Sequence, residues 1–171
     1  YSEYVLNRRV TALERQKVLE MLSQDGLVHV YTHDKQAKIG NTKNLGPVDY
    51  YDEMPYVFKC SKINLNITAK SIKTGLPLRI WDIMGCGGFV LTNYQQEIPE
   101  YFEIGKEIEV FTSEEEMLSK IDYYLKHEEE RRAISENGYK KVREIVEADP
   151  ARRVVVVSAA GKRFKEDHKI T

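Results

Sequence analysis

The chain has 171 residues, 42% of them hydrophobic and 31% charged, and 26 basic against 27 acidic side chains leave a formal net charge of −1. That is room for one domain with a packed core, and the near-neutral balance excludes an overall field able to hold nucleic acid or an anionic membrane, leaving open only a local basic pocket. No apolar run approaches the roughly twenty residues of a membrane span, and the start "YSEYVLNRRV" has no signal-peptide segment, so the expectation is a cytoplasmic piece cut from a longer polypeptide.

Thr11-Ala12-Leu13-Glu14 has a capping-box pattern, and apolar residues recur after it at helical spacing until Asp25-Gly26. "LVHVY" then reads as a short strand. Met54 to Cys60 is weakly helical, "KINLNIT" alternates with a period of two, and Pro77 to Met84 can form two helical turns before Gly85. "GFVLTN" is an almost continuous apolar run of the kind buried in a parallel sheet. "EIEVF" reads as another strand, Ser113 to Glu116 as a second capping box opening a helix to about Lys126, and Glu128 to Ala148 as a long charged helix ended by Pro150. "RVVVVSA" is the strongest strand signal of all. Helices alternating with short apolar strands predict an α/β domain with a mostly parallel sheet.

Cys60 and Cys86 are too few for a disulfide framework, and neither has a partner at metal-ligand spacing. His29, His33, His127 and His168 stand singly, and none receives a ligand role.

The stretch "LPLRIWDIMGCGGFVLTNY" carries the candidate chemistry. Ligands of open parallel sheets sit beyond the carboxyl ends of the strands, and Thr74-Gly75-Leu76-Pro77 follows such an end. Pro77 suits the first helical position, and the free amides of the first turn offer a seat for phosphate, with Gly75 allowing close approach. Arg79 and Asp82 share a face of the helix. The arginine can neutralise phosphate and the carboxylate can accept from sugar hydroxyls, although an intrahelical salt bridge explains the same spacing. Gly85, Gly87 and Gly88 read as a helix stop and close packing, and Trp81 as core. "GCGG" fits neither the dinucleotide nor the P-loop fingerprint, because it follows a helix where those motifs open one.

"GPVDYYDEMPYVFKCSKINLNIT", "IKTGLPLRIWDIMGCGGFVLTNY" and "EIGKEIEVFTSEEEMLSKIDYYLKHEEERRAISENGYKKV" resemble, in this order, the carboxyl-terminal half of group 1 glycosyltransferases of the spore-maturation-protein type, over residues 1 to about 142. The resemblance implies a Rossmann-like parallel sheet layered with helices, one lobe of a GT-B fold, that binds a nucleoside diphosphate sugar as donor and works with a missing amino-terminal lobe. Asp82 takes the second acidic place of that family's donor motif, where it would bond the ribose hydroxyls, and the amides of Gly75 and Leu76 would face the phosphates. The first acidic place holds Thr74, a departure that touches the sugar-facing contact. Charge on the leaving diphosphate would be met by Arg79, Lys70 or Lys73. No metal and no cofactor beyond the donor substrate is implied.

The last stretch, "KVREIVEADPARRVVVVSAAGKRFKEDHKIT", resembles a segment near the amino terminus of aspartate kinases, without that family's phosphate loop. The expectation is therefore a nucleotide-sugar-binding lobe over 1–142 joined to a foreign-looking tail over 143–171, in which Lys162, Arg163 and Lys165 form a small basic cluster. The expected function is the donor-binding half of a glycosyltransferase, inactive alone. The alternatives are a non-catalytic nucleotide-binding or structural module of the same fold, or an aspartate kinase fragment.

Overall fold

The computed structural model describes residues 2–25, 28–72 and 74–148. Its helices are α1 (Ser2–Leu22), α2 (Met54–Cys60), α3 (Leu78–Gly85), α4 (Ile98–Tyr101), α5 (Glu114–Lys126) and α6 (Glu128–Glu147). Its strands are β1 (His29–Val30), β2 (Lys43–Asn44), β3 (Asn64–Asn66), β4 (Val90–Asn93) and β5 (Glu109–Phe111).

The apolar run expected to be buried becomes β4, the middle of a parallel sheet of order β3-β4-β5, with Leu91 beside both Leu65 and Glu109. Successive side chains on a strand point to opposite faces. Val90 accordingly joins a cluster with Ile80, Ile83 and Met84 of α3, Phe58 of α2 and Ile98 of α4. Leu91 joins the other cluster, with Val18 of α1 and Met117 and Tyr124 of α5. Helix α6 serves both, through Val142 and Ile134 respectively. This is the expected Rossmann-like α/β layering of parallel strands and helices. The expected single sheet is divided, since β1 and β2 pair with each other in a separate parallel sheet.

Two local readings are corrected. The pattern at Thr11 does not start a helix: α1 begins at Ser2, Thr11 is 3% exposed, and its hydroxyl donates to the Asn7 carbonyl one turn back and accepts from the Lys70 amide. A buried threonine inside a helix can satisfy itself this way, which removes the need for a cap. Pro77 is the N-cap of α3 and not its first helical residue, and its extended backbone (ψ 139°) lets its carbonyl accept from the Ile80 amide. The glycines behave as expected. Gly87 takes the left-handed conformation (φ 74°), and a Cβ on Gly88 would lie 2.7 Å from the Phe58 carbonyl oxygen, so α2 and β4 approach closely only across a glycine.

The helix expected to run through residue 142 does so without a break. The strand reading of "RVVVVSA", Lys73, and the cluster Lys162, Arg163 and Lys165 lie outside the described residues. No described helix is long and apolar enough to cross a membrane.

Candidate functional site

The carboxyl ends of β3 and β4 are tied together by a buried polar network. The Asn66 side-chain amide donates to the hydroxyls of Thr68 (3.1 Å) and Thr92 (2.9 Å), and the Thr68 amide donates to Asn93 Oδ1 (2.7 Å). Thr92 is fully buried and Asn66 and Thr68 nearly so, so these bonds hold the two strand ends in fixed relation with little competition from water.

Beyond them opens a cavity of about 380 Å³ between α1, the segment after β3, the β4–α4 loop and the start of α5. Thr68, Lys70, Asn93, Gln95, Glu97 and Thr112 are among its lining residues. Lys70 is committed to Glu14 by an ion pair. Gln95 Oε1 is buried and has no hydrogen-bond partner among the described residues, which leaves a strong acceptor unused next to a cavity. Glu97 reaches from the lining to accept the Gly75 amide at 3.0 Å. The amide expected to meet a phosphate therefore meets an internal carboxylate.

The expected site residues are brought together only in part. Thr74 and Gly75 are exposed, beside Glu97, and Leu76 is half-buried against the apolar cluster of α3. Arg79 is exposed, with its guanidinium 5.3 Å from the centroid of the Phe58 ring. Asp82 is half-buried and accepts a 2.8 Å bond from the Tyr50 hydroxyl. Burial first, and then this bond, push the Tyr50 phenol above its ordinary pKa. Among the described residues no ion pair joins Arg79 to Asp82, and neither residue lines the strand-end cavity. The Arg79–Asp82 clamp is thus two separate contacts, one to Phe58 and one to Tyr50.

Sequence reasoning passed over Tyr50, Asn93, Gln95 and Glu97. The signal that could have found the last three is positional: "NYQQE" directly follows a buried parallel strand, where ligand-binding loops arise. A second cavity, about 680 Å³, is larger but lies where β3 and β4 begin. Position, not volume, marks the strand-end cavity as the candidate site.

Parallel strands layered with helices, with a cavity beyond the carboxyl ends of the strands, define a Rossmann-like α/β domain. The model of the glycosyl transferase-like family matches residues 8–154, and the chain belongs to that family. A solved structure of the C-terminal domain of a glycosyl transferase group 1 family protein (LpcC) from Francisella tularensis is similar at 20% identity, with a TM-score of 0.49 over 60% of this chain and 52% of that one. The chain thus spans about half the length of that structure. No curated protein matches.

Proposed function

We propose that the chain is the donor-binding lobe of a GT-B glycosyltransferase of the spore-maturation-protein type, moving a sugar from a nucleoside diphosphate sugar to an acceptor held mainly by a second, amino-terminal lobe. The observation that carries this reading is the strand-end cavity, with the unused Gln95 acceptor and the Gly75 amide at its edge, in a chain of the glycosyl transferase-like family. Val18, Ile67, Phe111 and Met117 give this cavity an apolar wall. The amide, hydroxyl and carboxylate groups of Gln95, Asn93, Thr68 and Glu97 are the partners that sugar hydroxyls, which both donate and accept, would meet there.

In this proposal Glu97 holds the place of a phosphate oxygen until the donor arrives. The carboxylate then leaves the Gly75 amide, because two anions cannot share that donor without repulsion, and is free to accept from the transferred sugar. Arg79 and Asp82 lie outside this cavity, so they meet the donor only where its diphosphate and ribose extend past it. Arg79 then leaves the Phe58 ring for the diphosphate, and Asp82 exchanges Tyr50 for the ribose hydroxyls. Stabilising the charge on the departing diphosphate is the main catalytic task left to this lobe, and no separate cofactor enters it. The general base belongs to the other lobe, so this chain alone turns over nothing. The division near residue 142 is part of the same proposal.

Titration calorimetry with UDP-, GDP- and dTDP-glucose tests the reading. One donor binds, and Gln95→Ala or Asp82→Ala weakens it about tenfold, the size of one lost hydrogen bond to a buried or charged group. Silence from all three donors overturns it. Thr74 in the first acidic place favours a second reading, a module that binds nucleotide without transfer. That reading predicts donor binding with no transfer even when the amino-terminal lobe is restored.

A further inference from the structure

The larger cavity, at the opposite end of the sheet, has an unbalanced charge. Lys59, Lys62, Arg131 and Arg132 line it together with the carboxylates Glu128 and Glu136. Both carboxylates are already engaged, Glu128 by Arg132 and Glu136 by Lys140 at 2.9 Å. Among the described residues, no carboxylate lies within 4.0 Å of the cationic atoms of Lys59, Lys62 or Arg131. The whole chain carries a formal charge of −1, so this local excess does not follow from a basic composition.

Arg131 makes the imbalance costly. It is 6% exposed, and its described side-chain bond is from Nη1 to the Tyr124 carbonyl at 2.7 Å. A carbonyl dipole offsets a guanidinium only partly, and a buried charge without an opposite charge is strongly unfavourable. The planar fork of arginine also matches the oxygens of a phosphate, which lysines beside it can neutralise as point charges.

We infer that this cavity is a phosphate-binding site, in which Arg131 supplies the fork and Lys59 and Lys62 the added charge. It is separate from the strand-end cavity and does not rest on the donor reading, so its ligand is a regulator or a second phosphorylated molecule and not the sugar donor.

The test is calorimetric titration of the full chain with inorganic phosphate and with AMP, at constant ionic strength set by chloride. Phosphate binds, and Lys59→Ala/Lys62→Ala weakens it at least tenfold while Lys126→Ala, on α5 outside the cavity, leaves it unchanged. Tighter binding of AMP identifies an organic phosphate as the ligand, and equal binding identifies the phosphate group alone. Arg131→Gln abolishes binding where circular dichroism shows an intact fold. If it unfolds, the double lysine variant decides. No phosphate binding by the wild-type chain, or binding unaffected by the double variant, overturns the inference; the lysines then serve only the nearby helix ends.

Discussion

At Gly138 one methyl group decides the sign of a substitution. Gly to Ala inside a helix ordinarily gains about 1 kcal/mol. Here a Cβ would lie 2.4 Å from the Glu107 carbonyl oxygen and 2.9 Å from Met84 Cε. The methionine can move aside, but the backbone oxygen cannot move without displacing the turn before β5. Gly138→Ala should therefore destabilise the chain by about 1–3 kcal/mol, the usual cost of overpacking. Urea unfolding checks this, and an unchanged or raised midpoint contradicts it. Glu116 offers a residue-scale test in pH. Its carboxylate accepts from the Thr112 hydroxyl and amide and pairs with Lys120, which hold its pKa near 2 from an ordinary 4.5. A depressed folded pKa contributes stability that is complete above pH 4.5 and is lost as pH falls through about 2. Glu116→Gln should lower the urea midpoint at pH 7 and flatten the wild-type decline between pH 4.5 and 2. A decline of unaltered steepness contradicts the assignment. The Ser113–Glu116 spacing was legible in the sequence because it is a fixed local motif, and Ser113 Oγ does accept the Glu116 amide. Thr112 as the partner of Glu116 was not legible, because a capping box directs that carboxylate to the amide of Ser113 itself.

Elements were readable where they begin and end on local chemistry. Helices α2, α5 and α6 follow their sequence boundaries closely because Pro55, Ser113 and the Glu128–Glu130 run act within one turn. Strand β2 has no apolar pattern in Lys43-Asn44, and α4 is a single turn, so neither was visible. Helix α1 shows how a correct element can carry a wrong start. Val5, Leu6, Val10 and Leu13 are exposed, and Val18 near its carboxyl end enters the core, so no apolar stripe runs the full length of the helix. Polar contacts help to dock it: Arg15 donates to the Ile67 carbonyl, Lys17 pairs with Glu114, and Thr11 accepts the Lys70 amide. The exposed pair contributes little. The Thr11 contact is different, because replacing a buried hydroxyl with a methyl leaves an amide without its acceptor. Thr11→Val should cost about 1–3 kcal/mol despite its matched shape, and Thr11→Ser should recover most of that in the same unfolding measurement. Equal stability of Thr11→Val and wild type would show that α1 does not dock through this residue. The candidate site was hard to read for a related reason. Gln95 and Glu97 come from the β4–α4 loop and Gly75 from the loop after β3, and only the sheet brings them together.

At the scale of the molecule, the two apolar clusters on opposite faces of the β3-β4-β5 sheet cannot come apart independently. Val90 and Leu91 are consecutive in β4 and feed opposite clusters, and α6 enters both through Val142 and Ile134. Melting either layer removes support from the strand and the helix that the other layer needs. The chain has one tryptophan, Trp81, which packs on the α3 side against Tyr101 and Phe102 at centroid distances of 5.7 and 5.1 Å. It reports on one cluster alone. Leu91, fully buried on the other side, is the residue with which to test the coupling. Leu91→Ala should cost about 2–5 kcal/mol, a large share of the roughly 5–15 kcal/mol available to a domain. Because the layers are coupled, the Trp81 fluorescence transition should move to lower denaturant by the same amount as the transition followed by circular dichroism, although no aromatic ring near Trp81 has been touched. If the tryptophan transition stays in place while the other moves, the two faces unfold as separate units, and the fixed strand ends on which the cavity depends lose their physical basis.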